Sequence, residues 1–497
     1  MILPSFPATR ISLIIILATQ IGGCQATKDL AGNLSPSVAS RTQPLIHALP
    51  KDYKPSLVAI GKERDVNDYR VKGEGLVPIP VLRKYLNDLL AQIKKETGIL
   101  NLPGTVYVTS NEGLDGLATA DGNIFLGIGF LKNLETEDQV VAILAHELAH
   151  IIYGHHDSDM IGKLQKQLQQ AAQIGAQAQA NFSAGNNGNA VIGKNPAKYL
   201  QQMQLLIEVT DVALLPAWSR RQEDEADALS IDLTTRMGYS YSRGMKSMLE
   251  LLSSEEERVD KKRAQQNALL QAQFEKDLKE TGNFKLDKLF ENIWGSMKSQ
   301  ISSKHDAAGT RIANTSEYYE KFYLDSSYKT RVHKTEWTQV MKNRSVAQTI
   351  ENYKLAYDAD DLRIAGRSDK ALPLAKKAAS GITSDHPFPL RVLADTQLAM
   401  GNQKGFSETS AKSARASEPS WKLIRVKAQQ DLAFGKKQQA RETMEKGFQH
   451  FQEPPSLRPD MISFYVSIGD KNAADKMKTE CAFISPEKRD SCFSAGK

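Results

Sequence analysis

The chain has 497 residues, 41% hydrophobic and 25% charged, the composition of a folded protein with room for more than one domain. No stretch reaches the ~20 consecutive apolar residues that a spanning helix requires, which excludes a polytopic helical membrane protein. All of the net charge of +6 arises after Thr330, where 28 basic residues face 20 acidic ones without an aromatic-interleaved basic stripe, and this argues against a nucleic-acid surface.

Residues 1–23 read as a lipoprotein signal peptide. Arg10 precedes the apolar run Ile11 to Ala18, and Ile21-Gly22-Gly23-Cys24 resembles the bacterial lipobox, in which the Cys is lipidated and becomes the new N-terminus. A plain cleaved signal is the alternative. Gln25 follows Cys24, which by resemblance to sorting in enteric-type bacteria implies transfer to the outer membrane. Lipidation removes Cys24 from the cysteine count. Cys481 and Cys492, with Pro486 between them, then suit a local disulfide in an oxidising compartment, against the alternative of two free thiols.

Residues 24–57, rich in Ser, Pro, Thr and Ala, are expected to be a flexible tether. The apolar spacing of Val81, Leu82, Tyr85, Leu86, Leu89, Leu90 and Ile93 predicts a helix over Pro78 to Thr97, and the β-branched run from Thr105 to Ser110 predicts a strand. Asp121-Gly122 marks a turn, Asn123 to Phe130 a second strand, and Glu135 to Tyr153 a nearly continuous helix. From there to about Leu324 the chain is helical in pattern, so residues 58–330 form an α+β domain, predominantly α, with a small sheet. Within it, Leu164 to Ala180 is mostly Gln and Ala and runs into the Gly/Asn-rich Ser183 to Asn189, a segment placed to act as a lid. Ser253 to Lys288 is highly charged and reads as a solvated helical hairpin.

The last third is periodic. Gly366, Gly401, Gly435 and Gly469 stand 35, 34 and 34 residues apart, each between helical segments. That period is the one of tetratricopeptide (TPR) repeats, predicting a C-terminal α-helical TPR-like solenoid over residues 345–480 and a tail with the disulfide over residues 481–497. Five residues after each Gly stands Ala371, Phe406, Ala440 or Ala474, where close helix packing favours a small residue and Phe406 departs from the rule. An unrelated helical bundle is the alternative.

His146-Glu147-Leu148-Ala149-His150 carries the chemistry. The surrounding residues Val140 to Ala145 are all apolar, so the helix is predicted to be buried, and two His and a Glu inside it need a shared purpose. Residues 146 and 150 project from one face, so one zinc can take a nitrogen from each with Glu147 beside it. Two residues compete as third ligand. His156 has the metzincin spacing, but Tyr153 stands where that motif needs Gly. Glu223 and Asp227, one turn apart in Trp218-Ser-Arg-Arg-Gln-Glu223-Asp-Glu-Ala-Asp227, offer instead a carboxylate ligand and a supporting carboxylate. The second arrangement gives a His146, His150, Glu223 site for one zinc per chain, with a fourth position open.

These motifs resemble the zinc metallopeptidase family that includes HtpX, the CAAX prenyl proteases and the periplasmic assembly-enhancing protease BepA. The likeness covers about Tyr69 to Asn314, and the repeats match the exported members. It implies a gluzincin-like domain. His155 matches a His those members often have, and His305 with Arg311 is similar to the family's His-Pro segment with its Arg, although Asp306 replaces the Pro. The strand from Gly122 to Phe130 resembles the family's active-site edge strand, along which substrate would lie. The resemblance implies Glu147 as general base, His305 or Arg311 as oxyanion donor with His305 a competing fourth zinc ligand, and Asp227 as support. The expected function is an exported, lipid-anchored, periplasmic zinc endopeptidase acting on unfolded or misassembled outer-membrane proteins. The repeats would recruit these clients or the assembly machinery. A TPR adaptor or chaperone with a structural metal is the alternative.

Overall fold

The computed structural model describes residues 41–157, 220–254 and 307–484, apart from positions 58, 73–74 and 114–115, together with helical positions 261, 265 and 268. The signal peptide, Cys24, the Gln/Ala-rich segment, most of the charged segment, His305 and Cys492 lie outside the described residues. No described helix is long and apolar enough to cross a membrane.

Helix α1 (Lys62–Lys72) is followed by α2 (Pro80–Thr97), which starts on Pro80 and ends where Gly98 takes a left-handed φ of 69°. Leu82, Leu86, Leu89, Leu90 and Ile93 form its buried stripe, as the spacing predicts; Val81 is exposed. Strands β1 (Thr105–Thr109), β2 (Gly116–Ala118) and β3 (Asn123–Gly127) make one sheet in the order β1-β3-β2, with β3 parallel to β1 and antiparallel to β2. The predicted strand from Asn123 to Phe130 therefore stops at Gly127, and Ile128–Leu131 turns into a short helix, α3. The chain passes so close to Glu112 there that a Cβ on Gly129 would lie 1.9 Å from its carbonyl oxygen.

The topology corrects a second expectation. β3 is the central strand, paired on both sides, so it offers no edge to a peptide. At the outer edge of β1, the Asn87 side chain holds both the N–H and C=O of Val106, at 2.9 and 3.0 Å, and Val77 N–H donates to Val108 O at 2.8 Å. β2 is the edge that packs beside helix α4 (Glu137–Ile152).

Helix α4 begins at Thr136 in a capping box with Gln139 and is buried almost throughout. Helix α5 (Arg220–Arg236) lies against it, with Ser230 Oγ donating to Ala142 O at 2.8 Å, and α6 (Ala307–Tyr323) lies against α5. The last part of the expected tether is bound to the domain. Leu45–Ala48 forms a 3-10 turn whose Ile46 N–H donates to Asp232 Oδ2 at 2.9 Å, while Tyr318 and Tyr323 donate to Asp232 Oδ1 at 2.9 and 2.7 Å. Lys51 and Tyr53 bond to the backbone of Leu100, so residues 45–53 are a strap on the domain, held at one end by the buried Asp232 and at the other by Leu100.

The C-terminal third is built of helix pairs: α8 (Arg344–Ile364) with α9 (Ser368–Ala378), α10 (Pro387–Ala399) with α11 (Gln403–Ser413), α12 (Trp421–Ala433) with α13 (Lys437–His450), and α14 (Arg458–Ser467) with α15 (Lys471–Ile484), preceded by α7 (Thr335–Lys342). Each periodic glycine ends the first helix of a pair at a φ of 71–74°. The next N–H bonds back to a carbonyl five residues earlier, as Arg367 does to Leu362 and Lys436 to Asp431. Ala371, Phe406, Ala440 and Ala474 are all buried, and Phe406 is accommodated among Ala394, Leu398, Leu423 and Val426. Cys481 lies within α15, buried against Ile462 and Met477, and is disulfide-bonded, so the helical part runs past the expected boundary at 480.

The repeats are joined to the sheet through α1. Tyr69 stacks on Phe125 of β3 at 3.9 Å between ring centroids, while Val71 enters the core of Trp421, Ile424, Phe451 and Met461, and Arg70 pairs with Glu418. Tyr357 OH donates to Ser110 O at 2.6 Å, and Trp337 Nε1 to Leu134 O at 2.8 Å.

Candidate metal centre

On α4, His146 and His150 turn their Nε2 atoms toward each other at 3.2 Å. Glu223 of α5 completes a triangle, with Oε2 3.6 Å from His146 Nε2 and Oε1 3.8 Å from His150 Nε2. Donors bound to a tetrahedral zinc at ~2.0–2.1 Å stand about 3.3–3.5 Å apart, so this triangle has the dimensions of a zinc site. The donor set fits as well. Burial, together with the neighbouring imidazoles of His146, His155 and His156, holds His150 well below the usual histidine range, in the neutral form a metal binds. Burial opposes the charged form of His146 too, but Asp227 and Glu223 outweigh it and raise its pKa.

The ligands are held from behind. His146 Nδ1 lies 2.8 Å from Asp227 Oδ1, and Arg311 donates to both oxygens of Asp227 at 2.8 and 2.7 Å. Arg311 Nη1 also lies 2.9 Å from Glu223 Oε2. Burial would raise the Asp227 pKa, but Arg311 and His146 pull it down to about 2. Arg311, one of the two residues expected at the oxyanion, is thus engaged by the carboxylates of Asp227 and Glu223. His150 Nδ1 is 2.8 Å from His155 Nδ1, and His155 Nε2 is 3.4 Å from Glu225 Oε2. Each ligand imidazole therefore has its second nitrogen oriented by a neighbour, as metal-binding histidines require.

Glu147 points between this triangle and β2. Burial raises its pKa to about 7, against the opposing pull of His146 and a hydrogen bond from the Ala118 backbone. A Cβ on Gly116 would lie 2.6 Å from Glu147 Oε1, so the carboxylate packs directly against the backbone of Gly116, and Oε2 is buried with no hydrogen-bond partner among the described residues. His156, the rival third ligand, is placed elsewhere: its Nε2 lies 3.0 Å from Ala118 O. His305 lies outside the described residues. Gly116, Ala118 and Glu225 were missed by sequence reasoning. Glu225 had a local signal, since it sits between Glu223 and Asp227, whereas nothing near Gly116 or Ala118 in sequence points to Glu147.

Residues 83–317 match the model of peptidase family M48. The beta-barrel assembly-enhancing protease of Escherichia coli (strain K12) is 22% identical over 202 residues, 40% of this chain and 39% of that protein. Its Yersinia pestis counterpart is 21% identical over 236 residues, 45% of this chain and 46% of the relative. Metalloprotease YcaL of Escherichia coli (strain K12) is 28% identical over 170 residues, 33% of this chain and 58% of the relative. The chain spans 39–46% of the length of the two beta-barrel assembly-enhancing proteases.

Proposed function

The chain carries a peptidase family M48 domain at residues 83–317, and on that premise we propose that it is a zinc-dependent endopeptidase of the bacterial envelope. The observation that carries this reading is Glu147, buried beside three convergent side chains with one carboxylate oxygen that no described residue shares. A structural zinc takes four protein ligands and has no use for such a group, whereas among the described residues three side chains converge.

A zinc ion held by His146, His150 and Glu223 supplies Lewis acidity toward a scissile carbonyl. The protein supplies the rest. Glu147, with a pKa near neutrality, takes the proton of the attacking water at Oε2 and returns it to the leaving amine. Asp227 fixes the ring of His146, and Arg311 fixes Asp227 and Glu223, which makes both positioning residues. His305 is assigned the oxyanion. An extended substrate pairs at Gly116 on the outer edge of β2, where alternation turns its N–H and C=O away from β3, and ends at Ala118, whose own groups meet Glu147 and His156. Backbone pairing of this kind gives little sequence preference and suits unfolded chains.

The lipobox-like Cys24, the disulfide of Cys481 and the names of the relatives support an exported protein anchored to the outer membrane. Its TPR-like repeats would bring misassembled envelope proteins, or their assembly machinery, to the site. The test is Glu147→Gln, which removes the base and keeps every ligand. It is expected to retain zinc and fold while losing hydrolysis of an unfolded casein. Hydrolysis at the wild-type rate would overturn the reading.

A further inference from the structure

Between the metal centre and the edge strand lies a short 3-10 turn, His155–Asp157, and its two histidines face different ways. Gly154, at a φ of 60°, turns the chain back from the end of α4. His155 then returns to the ligand His150, at 2.8 Å, and His156 reaches the backbone of β2, at 3.0 Å from Ala118 O. His156 is 7% exposed, so its place is built into the fold.

β2 has three residues and pairs with β3 on one side only. Thr119 N–H donates to Asn123 O at 2.9 Å, and by the antiparallel alternation the polar groups of Ala118 face outward, toward α4. Both are taken up there: Ala118 C=O meets His156, and Ala118 N–H is hydrogen-bonded to the carboxylate of Glu147. Gly116, two residues earlier, has no side chain, and the Glu147 carboxylate packs so close that a Cβ there would lie 2.6 Å from Oε1.

We propose that His156 is a positioning residue for the reaction: by donating to Ala118 O it fixes the peptide group whose N–H holds Glu147 at its working distance from the ligand triangle. The inference rests on the reading of Glu147 as general base. Without the His156 bond, a buried carbonyl loses its donor and the strand moves to find another, carrying the Glu147 anchor with it. A displacement of about 1 Å at a reacting group costs on the order of 100-fold in rate.

The experiment compares His156→Gln, which keeps a donor at nearly the same reach, with His156→Met, which has the same length and no donor. Zinc content, thermal stability, kcat and KM on an unfolded casein, and amide hydrogen exchange over residues 116–119 are measured for each. We expect both variants to keep one zinc. His156→Met should lose ~10–100-fold in kcat with KM little changed, and exchange over 116–119 should accelerate. His156→Gln should recover most of both. Equal kcat in the two variants, a rise in KM alone, unchanged exchange in His156→Met, or loss of zinc from both would each overturn the proposal. Failure of the underlying reading looks different, since Glu147→Gln would then remain fully active, and the proposal falls with it.

Discussion

Arg311 and Asp227 form a fork-to-fork pair, with Nε and Nη2 of the arginine at 2.8 and 2.7 Å from the two carboxylate oxygens, directly behind His146. A lysine reaches as a point charge and cannot reproduce two parallel bonds and a third contact to Glu223. Arg311→Lys is therefore expected to weaken zinc retention ~10–100-fold, measured by competition with a chromogenic chelator. Unchanged affinity would mean that His146 is oriented without the pair.

Glu223 joins His146 and His150 from a second helix, and no other described carboxylate joins the cluster. Glu223→Ala is expected to leave the protein without stoichiometric zinc in elemental analysis, whereas His156→Gln keeps it. The opposite ranking would make His156 the third ligand.

His386 precedes α10, is 2% exposed, and has its pKa lowered by burial to about 4, against the weaker opposing pull of Asp385. A histidine whose folded pKa lies below its unfolded value of 6.5 contributes stability that is complete above pH 6.5 and lost as the pH falls through about 4. Full loss amounts to about 3 kcal/mol. The urea midpoint should fall between pH 7 and pH 4.5, and His386→Gln should make that fall smaller.

Asp232 binds the strap at Ile46 and two tyrosines of α6 at once. Asp232→Ala leaves two buried tyrosine hydroxyls and the half-buried Ile46 N–H without their acceptor and is expected to cost about 3 kcal/mol, read from urea unfolding at neutral pH. A deletion of residues 43–50 should cost less, since it removes one of those donors together with its need for a partner.

Trp337 is fully buried between the peptidase domain and the repeats, with its indole N–H on Leu134 O. Trp337→Ala is expected to cost about 3–5 kcal/mol. For the same reason truncation after Tyr328, which also strips the cover from Val71, should diminish cleavage of short peptides as well as of whole proteins. Full retention of peptide cleavage would show that the peptidase domain folds without its repeats.

Local pattern was enough for most of the described helices, the periodic glycines and the cluster of His146, His150 and Glu223. His146, Glu147 and His150 are contiguous, Glu223 and Asp227 are one turn apart, and helical spacing alone puts each group on one face. A glycine every 34 residues or so was legible because each must take a left-handed φ at the end of a helix. What the sequence could not decide are the relations made across the chain by packing. Which strand forms the edge depends on β2 joining β3 from the far side, and Gly116 to Ala118 is too short to show a period. That Arg311 serves Asp227, that His156 serves Ala118, and that residues 45–53 are bound rather than loose all follow from buried polar groups needing partners. Only the folded chain determines which distant donor each of them meets.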